Sequence, residues 1–241
     1  MTIRIVAING SPRKKGHTGV LLQRAVEAAQ EIPGVKAELI HLAGKKIHSC
    51  LGCAKPDGRM NCREECAIKD DMSEIYPKLV EADGLIVGTS VYYCNVSGLL
   101  KNFMDRCNSL KFRRYRLADK VGGALAVAAH QHGGVETAVE AIYRFFYMQG
   151  MVVVNDGAPT YDDIKEFENI KGPRSEFSAV WDMTHYPGGF ADPRYGAILE
   201  DPVAVVTSRA LGRRVARVAL WLKAGMDQIG ANRYGYDMIG S

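Results

Sequence analysis

Apolar residues in this chain follow two alternating patterns: short dense runs, then longer stretches in which they recur every three or four positions. Dense runs predict buried strands, and the longer period predicts helices packed on one face. Ile3, Ile5, Val6, Ala7 and Ile8 form a nearly continuous run, as a central parallel strand covered on both faces requires. Gly10, Ser11, Pro12 and Gly16 interrupt it. Leu22, Ala25, Val26 and Ala29 then share one helical face, with His17 or Thr18 expected at the N-cap. Over residues 35–41, Val35, Ala37 and Leu39 alternate with Lys36, Glu38 and His41, the pattern of an outer strand. Residues 49–69 hold Gly52, Pro56, Asp57, Gly58 and Asn61 and are expected as irregular chain. Asp70 or Asp71 then starts a helix through Ile75, Leu79 and Ala82, which Pro77 should bend or divide. A third strand over 85–89 precedes a helix with Leu99, Leu100, Phe103 and Met104. A fourth over 121–129 precedes one with Val135, Val139, Ile142 and Phe146, and a fifth covers 151–154. Helical spacing returns at Val203, with Leu211, Val215, Val218 and Leu222 as its stripe.

Five strands alternating with helices predict the α/β class, as one doubly wound parallel sheet in the flavodoxin-like order 2-1-3-4-5. The chain is expected to form a single domain, 1–241, with residues 155–202 as a long insertion between the fifth strand and the last helix. That insertion carries Tyr161, Phe167, Phe177, Trp181, Tyr186, Phe190 and Tyr195 without a sustained period, and reads as a lid, a binding loop or an oligomer arm. In such a sheet the loops after the strands gather at the carboxyl edge, with a ligand where the first and third strands part. The loops at 10–18, 49–69, 90–96 and 130–134 are therefore all expected there.

A content of 47% hydrophobic and 24% charged residues over 241 positions allows a substantial core. The longest apolar run, over 121–129, is too short for a bilayer, and the N-terminus enters a strand, so the protein is expected in the cytoplasm without membrane insertion. A net charge of +4 does not argue for nucleic acid. The local cluster Lys111, Arg113, Arg114 and Arg116 reads either as a solvated face or as an attraction for the 2′-phosphate of a nicotinamide cofactor. Four of the six cysteines, Cys50, Cys53, Cys62 and Cys66, are clustered, which in a reducing compartment suggests metal or redox chemistry before disulfides.

The break after the first strand reads as an anion site, because a helix starting there turns unpaired N–H groups and its positive dipole end toward the loop. It is neither a Walker loop nor a G-x-G-x-x-G fingerprint: five residues separate Gly10 from Gly16, and His17 stands where the Walker Lys would be. Ser11, Arg13, His17 and Thr18 suit a phosphate that stays bound. Ser90, Val91, Tyr92, Tyr93, Asn95 and Val96 offer a polar and aromatic wall for a planar head group. Flavin mononucleotide (FMN) fits both. His130, Gln131, Gly133 and Gly134 would then border the pyrimidine edge, where donors stabilise charge that develops on reduction.

The motifs match a known family. Gly-Ser-Pro-Arg-x-x-Gly-x-Thr at 10–18, Cys-x-Gly-Cys at 50–53, Cys-x-Ile-x-Asp-Asp-Met at 66–72 and Ala-Asp-Gly-Leu-Ile-Val-Gly-Thr-Ser-Val-Tyr-Tyr at 82–93 resemble the NADPH-dependent FMN reductases. Val-Ser-Gly-Leu-Leu-Lys-Asn-Phe-Met-Asp-Arg at 96–106 and the Gly-Gly pair at 133–134 agree. The cysteines look most like those of the iron–sulfur flavoprotein branch. The resemblance implies a flavodoxin-like fold, bound FMN, NAD(P)H as reductant, and homodimers or homotetramers. It implies an acceptor such as a quinone, a free flavin or a metal centre, or, as the alternative, electron transfer between partner proteins such as ferredoxin. No side chain is assigned as a catalytic acid, since flavin N5 carries the chemistry. Three positions depart from the family pattern. Ser90 replaces a common proline, Cys94 replaces a common glycine, and eight residues separate Cys53 from Cys62 where the branch uses a compact run. Cys50, Cys53, Cys62 and Cys66 are accordingly read as ligands of a [4Fe–4S] cluster, with zinc or free thiols as the alternatives.

Overall fold

The computed structural model describes residues 1–62, 66–112, 114–128, 133–156, 179–180 and 197–230. Strands β1 (Ile3–Asn9), β2 (Val35–His41), β3 (Gly84–Ser90), β4 (Val121–Val127) and β5 (Val152–Val154) form a parallel sheet in the order β2-β1-β3-β4-β5. The order follows from the burial pattern. In β3 only Ser90 is not fully buried and in β4 every residue is, whereas β2 exposes Lys36 and Glu38, so β2 can only lie at an edge.

Two helical layers cover the sheet. On one face α2 (Met72–Glu81), α3 (Gly98–Arg106), the short α4 (Asn108–Lys111) and α5 (Val135–Met148) enclose a core with Val6, Ile8, Leu85, Val87, Phe103 and Phe146. On the other, α1 (His17–Gln30) and α6 (Pro202–Ile229) pack on Ile3, Ile5, Ala7, Ile86 and Leu125. Helices α1 and α6 cross closely: a Cβ on Gly212 would lie 2.0 Å from the Ala25 carbonyl oxygen. No helix among the described residues is long and apolar enough to cross a membrane.

Pro77 lies inside α2, which it does not divide. Two local expectations are corrected. The N-cap of α1 is Gly16, whose extended backbone leaves the first turn without a side-chain cap, so neither His17 nor Thr18 fills that role. The fifth strand is shorter than 151–154, and the remainder of the β4 edge is taken by a two-residue strand from the insertion, β6 (Ala179–Val180), paired with Ala126 and Val127. Within the insertion, β6 and a 3₁₀ turn at Ala197–Glu200 are described, and residues 157–178 and 181–196, including Trp181 to Phe190, lie outside the described residues.

Candidate functional site

The loop after β1 is held from below by its own strand end. Asn9, fully buried, accepts the Ser11 N–H on Oδ1 at 3.0 Å and places its amide 2.9 Å from His41 Nδ1 at the end of β2. Ser11 Oγ in turn accepts the Arg13 N–H at 3.2 Å, while the Arg13 side chain is exposed. Thr18 is buried in the first turn of α1. With no side-chain cap and no acidic residue in that turn, the positive end of α1 faces the loop unopposed. Burial, and then the Lys14 cation, hold the His41 imidazole below its ordinary pKa.

The loop after β3 is a two-residue turn. Tyr92 and Asn95 exchange backbone hydrogen bonds at 2.9 Å in both directions, which puts Tyr93 at φ 46° and Cys94 at φ 55°. This left-handed geometry explains why glycine suits the Cys94 position. Tyr93 projects fully into solvent and Tyr92 is also exposed. Asn95 Oδ1 is used locally, accepting the Val96 N–H at 2.8 Å, and Val96 is buried in the core instead of facing the loop surface. Val91 is half-buried against the same core. Ser90 Oγ is buried without a hydrogen-bond partner among the described residues. Gly134, at φ 94°, abuts this turn so closely that a Cβ there would sit 2.3 Å from Cys94 Cα. Gly133 is half-buried next to it, and His130 and Gln131 lie outside the described residues.

A residue that sequence reasoning passed over ties these loops together. Ser97 donates its hydroxyl to the Gly10 carbonyl at 2.5 Å, accepts the Leu100 N–H at 3.0 Å as the N-cap of α3, and donates its own N–H to Thr89 Oγ1 at 3.1 Å. Its signal was the serine just ahead of an apolar helical run. An uncapped helix start and an orphaned hydroxyl beside a tyrosine turn form a donor set that fits a phosphorylated planar ligand.

The four clustered cysteines come together by a fold-back that spacing alone did not reveal. Residues 54–60 turn back as a small hairpin, with Ala54 bridged to Met60 and the Asn61 N–H donating to the Cys53 carbonyl at 2.9 Å. Cys53 and Cys62 therefore flank its base despite their separation in sequence. With Cys50 and Cys66 they line one cavity of about 190 Å³, closed by Asp105, Arg106 and Asn108. Burial pushes the Cys62 thiol up in pKa against a hydrogen bond from Asn108, and Cys66, Cys50 and Cys53 push it the same way. Among the described residues no three His, Cys, Asp or Glu side chains form a group that could hold a metal ion. Four thiols around one cavity nonetheless form a soft donor set, the kind suited to iron–sulfur or zinc chemistry.

The cysteine cavity is displaced from the edge that carries the Ser11 loop and the tyrosine turn. Asp105 and Arg106, at the C-terminal end of α3, line the cavity, whereas Ser97 opens that helix, which is about 13 Å long at 1.5 Å per residue. The basic cluster is displaced further. Arg116 bonds back to Leu110, and Asp119 donates to the Gly150 carbonyl where α5 returns to the sheet, so Lys111, Arg114 and Arg116 stand at the amino edge, opposite the Ser11 loop. That position does not support a 2′-phosphate contact beside the Ser11 loop and the tyrosine turn; Arg113 lies outside the described residues.

The sheet order, the switch-point loop after β1 and the tyrosine turn after β3 define the class of flavodoxin-like flavoproteins. The profile of the family described as NADPH-dependent FMN reductase matches residues 3–164, and the chain belongs to that family. An iron–sulfur flavoprotein of Methanocaldococcus jannaschii is 36% identical over 92% of this chain and 100% of its own length. An NAD(P)H dehydrogenase (quinone) of Acidithiobacillus ferrooxidans is 28% identical over 65% of this chain and 73% of its own. Among solved structures, a WrbA-like flavodoxin from Agrobacterium tumefaciens superimposes with a TM-score of 0.52 at 19% identity, covering 92% of this chain and 99% of that one, which supports the fold. The protein is a flavin oxidoreductase of this family.

Proposed function

We propose that the protein takes reducing equivalents from NAD(P)H through FMN to a quinone, a free flavin or a metal-centre acceptor, with an iron–sulfur cluster in the cysteine cavity. The observation that carries the flavin part is the junction of the Ser11 loop, the Tyr92–Asn95 turn and Gly134 at the end of β1 and β3. In this reading Ser11, Arg13, His17 and Thr18 hold the phosphate. Ser90, Val91, Tyr92 and Tyr93 flank the ring, and His130, Gln131, Gly133 and Gly134 border its pyrimidine side. Bound FMN supplies the hydride acceptance and one-electron release that no side chain offers. The residues supply position: Ser97 fixes the loops, and the α1 N-terminus offers its dipole to the phosphate. Asn95 and Val96 complete the wall beside the ring, Val96 backing the turn from the core.

The test is anaerobic titration of FMN-loaded protein with NADH and with NADPH. Loss of flavin absorbance at a stoichiometric equivalent supports the reading, and an unchanged spectrum with both overturns it.

The four-thiol cavity favours a second reading, an electron-transfer protein serving partner proteins. Leu51 and Met60 line that cavity and are largely exposed, as a contact surface beside a redox centre would be. Reduction by ferredoxin but not by NAD(P)H would select this second reading.

A further inference from the structure

Arg106 is the largest fully buried side chain among the described residues, and it lies beside the cysteine cavity. Its guanidinium carries five N–H donors in a fixed fork. Nη1 donates to Asp70 Oδ2 at 2.5 Å and to the His48 carbonyl at 3.1 Å. Nη2 donates to Asp70 Oδ1 at 3.1 Å and to the Ile68 carbonyl at 3.3 Å. His48 precedes Cys50 by two positions and Ile68 follows Cys66 by two, so one planar group closes both ends of the cysteine loop. Tyr76 holds the clamp from the other side, its hydroxyl donating to the Arg106 carbonyl at 3.0 Å.

Four donors are thereby spent. The fifth, Nε–H, is buried without an acceptor among the described residues. Cys66 lines the same cavity as Arg106 and is near enough to the guanidinium to stabilise its charge. Burial works against the Arg106 charge, and the Asp70 hydrogen bond, then Tyr76 and Cys66, outweigh it.

We infer that Arg106 is a positioning residue for the cysteine site: its clamp fixes the loop, and its Nε–H donates to the Cys66 sulfur once that sulfur ligates a cluster. The inference rests on the iron–sulfur reading of the cavity. A hydrogen bond to a ligating sulfur stabilises the more negative, reduced cluster and raises its potential. Arginine suits the task because it stays protonated at any working pH and the buried fork cannot turn away.

The test compares wild type, Arg106→Lys and the double variant Asp70→Leu/Arg106→Leu, each loaded anaerobically with iron and sulfide. Iron and sulfide per chain, the cluster midpoint potential and the rate of iron loss to a chelator are measured, with FMN content and thermal melting as controls of fold. Arg106→Lys is expected to keep FMN, to shift the cluster to a more negative potential and to lose iron at least about tenfold faster. If the lysine variant melts early, the double variant carries the comparison, because removing both partners leaves no unpaired buried charge. An iron-loaded wild type whose variants keep its potential and its chelation rate overturns the Arg106 assignment alone. A wild type that takes up no iron overturns the reading of the cavity, and the assignment with it, before any substitution is made.

Discussion

Ser97 and Gly10, 87 positions apart, are joined by a 2.5 Å hydrogen bond from hydroxyl to carbonyl, and the same hydroxyl caps α3. One side chain thus sets the spacing between the loop after β1 and the turn after β3. Ser97→Ala should lose the cap and leave the Gly10 carbonyl unpaired in a buried place, costing about 1–3 kcal/mol. Chemical denaturation measures that loss. Flavin dissociation, followed by fluorescence, should rise in parallel, whereas a variant with unchanged retention would mean the two loops keep their spacing by other contacts.

Arg13 and Thr18 differ in burial, and the difference separates their effects. Arg13 is exposed, so Arg13→Ala should weaken FMN retention and leave the melting temperature within about 1 °C, as surface substitutions usually do. Thr18→Ala touches a buried position and should lower both modestly. Undiminished flavin content in the double variant would remove the phosphate assignment from this loop.

Gly212 lies where α6 crosses α1. An added methyl would meet the Ala25 carbonyl at 2.0 Å, and backbone cannot give way cheaply. Gly212→Ala should destabilise the fold by at least about 2 kcal/mol, with each kcal/mol lowering Tm by roughly 2–4 °C in a chain of this size. A melt that matches wild type would show the helices free to separate.

His41 makes stability depend on pH. Its imidazole titrates near about 6.5 when unfolded, and burial together with Lys14 holds it lower in the folded protein. The unfolded chain therefore takes up the proton first. The contribution of neutral His41 is complete above the unfolded value and is lost as pH falls through the folded one. The Asn9 amide can donate only to an unprotonated Nδ1, so that contact is lost over the same range. Denaturation midpoints at pH 7.5 and 5.5 should differ in wild type, and the difference should shrink in His41→Gln.

Strand order was legible because β1, β3 and β4 bury nearly every side chain while β2 alternates, and period is a property that sequence displays directly. The loop between the first strand and the first helix was legible for the same local reason, a strand broken by Gly10 and Gly16. What pattern could not supply were contacts between distant segments. The Ser97 hydroxyl finds its acceptor at the end of the neighbouring strand, 87 positions away, and the 54–60 hairpin closes the gap between Cys53 and Cys62 through backbone pairing that leaves no periodic trace. The cysteines were expected on the edge that carries the flavin loops because their loop follows β2. The C-terminal end of α3 forms the wall of their cavity instead, a matter of helix packing. Arg106 went unnoticed as a candidate because an arginine closing an amphipathic helix ordinarily faces solvent.

The outer side of β4 is covered in two pieces, Val121–Gly123 by β5 and Ala126–Val127 by β6, with Ala124 and Leu125 between them. A long, flat border strand is a template on which foreign chains can pair. Among the described residues this border consists of one strand of three residues and another of two, too short to give an incoming chain a continuous register. The opposite border, β2, is longer but places Lys36 and Glu38 outward. Both margins of the sheet thus discourage aggregation, one by brevity and one by charge.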